Sequence, residues 1–176
     1  MKTISIEAYQ IEELSEKVRD RLYQKWLSHG GSYYFWCDEA IASVKEFCRF
    51  FDCELRDYSV DSVRSTFKFN SEHDSAVGSE MRDIVLSNYD AMKKYAKFGS
   101  SDSCELTGYC LDETLLIPVR EYLAGKRQYA TYRDLMNDCL TDAFHDISKD
   151  MEYHESMECF IESRQGDYFT INGAEL

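Results

Sequence analysis

Two histidines in the C-terminal third of the chain are flanked by aspartates at helical spacing. Asp142 and Asp146 lie three residues before and one residue after His145, and Asp150 and His154 repeat an i,i+4 pairing. Carboxylate and imidazole groups at this spacing on one helix face can share a divalent metal ion. Solvent-exposed helix faces carry the same residue types, so we predict neither a metal site nor a catalytic site from this pattern. A metal-dependent enzyme that gathers Asp142, His145 and Asp146 in a pocket is the alternative.

The cysteines do not indicate a metal centre or a disulfide framework. Their number is odd, and no C-x-x-C pair or zinc-spaced His/Cys cluster occurs. Most lie among apolar neighbours, so we expect buried thiols in a reducing compartment. Nucleotide-binding, serine-nucleophile and zincin motifs do not occur either. The sequence therefore predicts no cofactor. The cysteines are Cys37, Cys48, Cys53, Cys104, Cys110, Cys139 and Cys159.

A regular row of aspartates is the strongest chemical signal. Residues 137–163 include eight acids and one base, Lys149. Within them an aspartate recurs every four residues from 138 to 150, a rise of ~6 Å per step along a helix. That rise is comparable with the separation of successive phosphates on an extended strand. Like charges at i,i+4 destabilise a helix by a few tenths of a kcal/mol, so we interpret the row as a surface for a basic partner. A merely solvated acidic face is the alternative.

Further acids and a group of aromatic residues extend the predicted partner surface. The stretch GSYYFW could supply a binding hot spot, because tyrosine and tryptophan dominate protein interfaces. Aromatic residues are more often part of the core, and that alternative stays open. The predicted partner-binding residues are Asp138, Asp142, Asp146, Asp150, Glu155, Glu158, Glu162, Tyr33, Tyr34 and Trp36.

Charge and composition narrow the possible partners and location. The chain of 176 residues has a net charge of −13 and a sequence pI near 4.7. Such a surface repels phosphates and anionic lipids, so direct binding to nucleic acid or membranes is not expected. No apolar run approaches the ~18 residues of a membrane span, and acids interrupt the N-terminal stretch MKTISIEAYQIEEL, which argues against a signal peptide. We expect a protein of the host-cell cytoplasm.

The hydrophobic periodicity predicts an α+β fold in a single domain, with several helices on a small, mostly antiparallel sheet and a long C-terminal helix. Thr114 is the predicted N-cap of the fourth helix, which would place Pro118 at its fourth position, where a missing N–H is tolerated. The predicted helices are LSEKVRDRLYQKWLSHGG, WCDEAIASVKEFCRFF, SEMRDIVLSNYDAMKKYAKFG, LLIPVREYLAG and TYRDLMNDCLTDAFHDISKDM. The predicted strands are residues 3–9, CELRDYSV, SVRSTFKFN, CELTGYC and a short last strand in DYFTINGAEL that ends at the turn Asn172-Gly173.

Several stretches resemble a family of phage- and prophage-encoded proteins. EAYQIEELSEKVRDRLYQKW is similar to the N-terminal strand and early helix of that family, and the likeness continues in FWCDEAIASVKEF, VRSTFKFN and LTGYCLDETLLIPVREYL. SMECFIESRQGDYFTINGAEL is similar to its S-x-E-x-x-x-E ending. This chain has SEHDSAVGS where the family carries a GDGA-like segment. Some members have antitoxin-like labels. The resemblance implies an origin in a mobile element and transfers no catalytic residue.

Together, the charge and the resemblance predict an inhibitor that binds a host defence complex. Its most concrete form is an anti-CRISPR protein whose acidic helix occupies a basic nucleic-acid-binding or subunit-binding surface of a CRISPR–Cas subunit. An antitoxin that neutralises a basic toxin by the same charge logic is the first alternative, and the metal-dependent enzyme is the second.

Overall fold

The computed structural model describes residues 7–30, 35–95 and 111–176, without the side chains of residues 35, 36 and 95. Within these ranges it has six α-helices, a short 3-10 helix and one two-stranded antiparallel sheet, which confirms the predicted α+β class. No helix among the described residues combines the length and apolar character needed to cross a bilayer. In chain order, the elements are the 3-10 helix Ile11–Glu13, α1 Glu16–Ser28, α2 Phe35–Phe50, β1 Cys53–Ser59, β2 Thr66–Ser71, α3 Gly78–Tyr95, α4 Leu111–Leu123, α5 Tyr132–His154 and α6 Met157–Ser163.

The chain divides into two compact units. The terminal unit contains residues 1–33 and 150–176, and the central unit contains residues 34–149. The single-domain organisation stays a prediction.

The central unit has a helical core built from the predicted apolar faces. In α2, apolar residues spaced three and four apart share one face and are buried, as the periodicity predicts. Phe47 and Phe51 stack with their ring centroids 4.6 Å apart. The predicted i+4 stripe of α5 is likewise buried. The buried residues of these two faces are Ile41, Val44, Phe47, Cys48 and Phe51, and Leu135, Cys139, Ala143 and Ile147. Met151, the last residue of the α5 stripe, is also buried but belongs to the terminal unit.

The hairpin of β1 and β2 forms where the sequence predicts it. The strands pair antiparallel from Cys53↔Ser71 to Ser59↔Thr66. In the turn, the Asp61 carboxylate accepts the backbone N–H of Val63 at 2.8 Å, which is the local bonding that favours aspartate in turns. The predicted strand SVRSTFKFN begins too early, because Val63 precedes β2 and is 90% exposed.

The predicted start of α4 is also wrong. The described helix includes Leu111, so Thr114 is a helical residue rather than its cap, and Pro118 lies inside the helix. Proline has no N–H to donate to the carbonyl four residues earlier, so the helix loses its bond to the Thr114 carbonyl. The apolar face outweighs this loss, because Leu115, Leu116 and Val119 are all fully buried on both sides of the proline.

The terminal unit is held by a small apolar cluster of Ile11, Leu14, Phe160 and Phe169. Phe169 also forms isolated antiparallel bridges with Tyr9 and Glu175. The final segment is therefore bridged at single residues and does not form the continuous strand that was predicted. Most of the predicted strand at residues 3–9, and all of CELTGYC, lie outside the described residues.

A turn at Gly173 brings the C-terminal segment close to α1. Gly173 has a φ of +76°, and a Cβ atom on it would lie 2.8 Å from Cγ1 of Val18. Only glycine combines this backbone conformation with so close an approach. The guanidinium of Arg21 donates a hydrogen bond to the carbonyl of Asn172, which fastens the same turn to α1.

Candidate functional site

Asp138, the first residue of the predicted row, already has a cationic partner. Its carboxylate accepts a hydrogen bond at 2.8 Å from Nη1 of Arg127 and one at 2.5 Å from the hydroxyl of Tyr129. Burial and the bond to Asp138 raise the pKa of Tyr129, so this phenol stays protonated and donates. The negative charge of Asp138 is therefore largely compensated by these contacts within the central unit.

The next two aspartates are half-buried rather than aligned in solvent. Asp146 accepts a hydrogen bond at 2.7 Å from the hydroxyl of Thr114 on α4. Burial raises the pKa of the Asp142 carboxyl, and the nearby charge of Asp138 raises it further. Both Asp142 and Asp146 are only partly exposed. Asp138, Asp142 and Asp146 thus have structural contacts or an unfavourable charge environment.

Asp142→Asn is expected to stabilise the protein at neutral pH. The folded-state pKa of Asp142 is raised, so its ionisation costs stability as the pH rises above about 4. The charges of Asp138 and Asp146 help to raise this pKa, whereas Arg127 and His145 lower it. We expect a gain of less than about 1 kcal/mol at pH 7, because the partly exposed charge is screened.

Thermal unfolding measured at several pH values checks this prediction. The gain should vanish near pH 3, where aspartate is protonated in both states. The control is Asp83→Asn, at an exposed position of α3. A gain of equal size at both pH values would contradict the electrostatic cause.

A group of exposed acids lies further along the chain, in the terminal unit. We call Asp150, Glu152, Glu155, Glu158 and Glu162 the acidic segment; residues 150–163 contain no lysine or arginine. All are exposed except Glu155, which is half-buried. Among the described residues, neither Glu152 nor Glu158 has an ion pair. The sequence prediction did not include Glu152, although it lies in the same acidic stretch as the predicted residues.

Specific hydrogen bonds hold the turn within the acidic segment. Ser156 is the N-cap of α6, and its side chain accepts the backbone N–H of Cys159 at 3.1 Å. The Tyr23 hydroxyl of α1 donates to the carbonyl of Glu155. The Tyr153 hydroxyl donates to the Glu162 carboxylate at 2.6 Å, and this bond raises the pKa of Tyr153 to about 12. The carboxylates at the end of α5 and on α6 are thus presented from a fixed turn.

The described residues do not gather a metal site. They contain no group of three or more His, Cys, Asp or Glu side chains placed to hold a metal ion. His145 is exposed on α5, and its neighbour Asp146 is bonded to Thr114. The structure places Sγ of Cys159 3.8 Å from Nδ1 of His154. Cys159 is only 7% exposed, so this pair offers little access to a reagent.

The described cysteines are free thiols, and burial suppresses their reactivity. Burial raises the pKa of Cys48 to about 12 and raises the pKa of Cys53 and of Cys139 as well. These groups therefore remain protonated at neutral pH, and a protonated thiol is a poor nucleophile. Cys104 and Cys110 lie outside the described residues.

The predicted aromatic contribution to the partner surface stays a prediction. Tyr33 and Tyr34 lie outside the described residues. Trp36 is the second residue of α2, and its side chain also lies outside the described part.

Comparison of the chain with protein-family models, with curated proteins and with solved structures found no match. The candidate site is thus defined by geometry and charge alone, as an acidic surface within a small α+β protein.

Proposed function

We propose that this protein binds a basic surface of another protein through its acidic segment. The observation that carries the proposal is the run of five carboxylates in residues 150–162 with no lysine or arginine among them. Four of the five are exposed. A partner with clustered lysines or arginines would pair with the exposed carboxylates, of which Glu152 and Glu158 have no ion pair among the described residues.

The charge of the whole chain supports the same mode of binding. A net charge of −13 attracts a basic surface over long range and raises the association rate. Asp138, Asp142 and Asp146 contribute to this field from the central unit, although their contacts make them less suited to direct pairing. In this proposal, the acidic segment therefore contacts the partner directly, and the three half-buried aspartates attract the partner over long range.

The specific form of the proposal is an inhibitor from a mobile element that acts in the host-cell cytoplasm. It occupies a basic nucleic-acid-binding or subunit-binding surface of a host defence complex, most concretely a CRISPR–Cas subunit. The resemblance to phage- and prophage-encoded proteins supports this choice. An antitoxin would use the same surface against a small basic toxin, and the antitoxin-like labels within the resembling family favour it as the second candidate.

A phage-plating assay tests the inhibitor form. The protein is expressed in a panel of bacterial strains, each with one active CRISPR–Cas type and a spacer against the challenging phage. In a sensitive strain, we expect the plating efficiency to rise to that of a strain without the spacer, because the occupied complex cannot engage DNA. Unchanged plating in every strain would contradict the anti-CRISPR form.

A further inference from the structure

A cleft in the described part of the terminal unit has a volume of about 610 Å³. It lies between α1, α6 and the C-terminal segment. This volume is within the roughly 300–1,000 Å³ that is typical of small-molecule sites. The lining residues that carry the argument are Lys25, Trp26, His29, Phe160, Arg164 and Phe169.

Rigid aromatic groups form the apolar wall of the cleft. Phe160 and Phe169 belong to the buried cluster of the terminal unit and are 2% and 3% exposed. Trp26 is half-buried, and its ring centroid is 5.4 Å from that of Phe160. Tyr23 packs against the same two rings from α1. These contacts fix the Trp26 side chain, so a flat ligand would meet a preformed surface.

The polar lining of the cleft is mainly cationic, in contrast to the acidic chain around it. Lys25 is exposed and has no ion pair with another described residue. Arg164 lies 3.2 Å from Asp167 and 3.7 Å from Glu175, and its side chain is 33% exposed. The ring of His29 is held through Nδ1 by the Lys25 carbonyl at 2.7 Å, which leaves Nε2 as its other polar atom. Glu175 is the one acid in the lining. Because its carboxylate is 61% exposed and 3.7 Å from Arg164, a ligand anion can displace it.

We propose that this cleft binds a small organic anion with a flat aromatic body. The aromatic part packs on Trp26 and Phe160, and the anionic group pairs with Lys25 and Arg164. The cationic side chains of the cleft favour an anionic ligand over a cationic one, although the negative net charge of the whole protein favours a cation. The site is separate from the acidic segment, so it does not depend on the proposed function.

Three isosteric probes test the proposal: 2-naphthoate, 2-naphthamide and 2-naphthamidine carry charges of −1, 0 and +1 on the same ring system. Binding to the full-length protein is measured from amide chemical-shift changes in two-dimensional NMR. We expect naphthoate to bind about tenfold more tightly than naphthamide, the ratio for one charge-assisted hydrogen bond. The shifts should centre on residues 22–29 and 160–175. No binding at millimolar concentration, or equal or tighter binding of naphthamidine, would overturn the proposal.

A pair of lysine variants separates the cleft from the general charge of the protein. Lys25→Gln should weaken naphthoate binding by about fivefold to tenfold and leave naphthamide binding unchanged. Lys17→Gln, at an exposed position on the same helix, is the matched control and should have no effect. Equal effects of the two substitutions would also overturn the proposal, because they would show that only the net charge matters.

Discussion

Replacement of Phe160 by alanine is expected to lower the free energy of unfolding by about 3–5 kcal/mol, the usual loss for a large buried aromatic residue. Phe160 is 2% exposed and contacts the rings of Tyr23 and Trp26. The terminal unit has only a small apolar cluster, so few other contacts remain to compensate. Urea denaturation followed by tryptophan fluorescence measures the loss, since Trp26 reports directly on this cluster.

The matched control for this change is Ile171→Ala in the same C-terminal segment. Ile171 is 62% exposed, so its truncation should change the stability by less than about 0.5 kcal/mol. Amide hydrogen exchange shows where the structure of the variant is weakened. The backbones of Tyr9 and Phe169 are joined by two hydrogen bonds of 2.9 and 2.8 Å, and both amides should lose protection in Phe160→Ala. Unchanged protection there would contradict the role of Phe160 as the centre of the terminal unit.

The second large effect is expected from neutralising the acidic segment. The triple variant Glu152→Gln, Glu158→Gln and Glu162→Gln should weaken partner binding by about 10- to 100-fold, equivalent to ~0.5–1 kcal/mol for each exposed pair. Glutamine still accepts the hydrogen bond from Tyr153, so the turn between α5 and α6 should persist. In the plating assay, the variant should inhibit less strongly at equal expression.

A charge-matched control distinguishes contact from the long-range field. Glu72→Gln, Asp83→Asn and Asp90→Asn also remove three negative charges, from exposed positions of the central unit. This control should keep most of the inhibition, because exposed charges more than ~8 Å apart are largely screened at physiological salt. An equal loss in both triple variants would mean that net charge, rather than the acidic segment, drives binding.

The sequence predicts the helical faces well because they depend on local spacing. The apolar stripes of α2 and α5 repeat every three or four residues, and the turn at Asp61 has a side chain that bonds to its own backbone. Thr114 and Pro118 misled the prediction of α4 because both residues carry strong local preferences for a helix start. The burial of Leu115 and Leu116 outweighs those preferences, and local spacing does not show it.

The candidate site was less predictable because burial and pairing are tertiary properties. The regular spacing from Asp138 to Asp150 is visible in the sequence, but the partners Arg127, Tyr129 and Thr114 are visible only in the structure. The cleft is a stronger example, since it brings residues of α1 together with residues more than a hundred positions later. No periodicity in the sequence predicts that these distant residues lie together.

The claim that the acidic segment binds the partner is tested most directly by titration calorimetry with the purified defence complex from a sensitive strain. Wild-type protein and the two charge-matched triple variants are compared at low and physiological salt. The proposed function predicts a steep loss of affinity for the acidic-segment variant, near-normal affinity for the control, and weaker wild-type binding as salt rises. Equal affinity of all three proteins at both salt concentrations would contradict it.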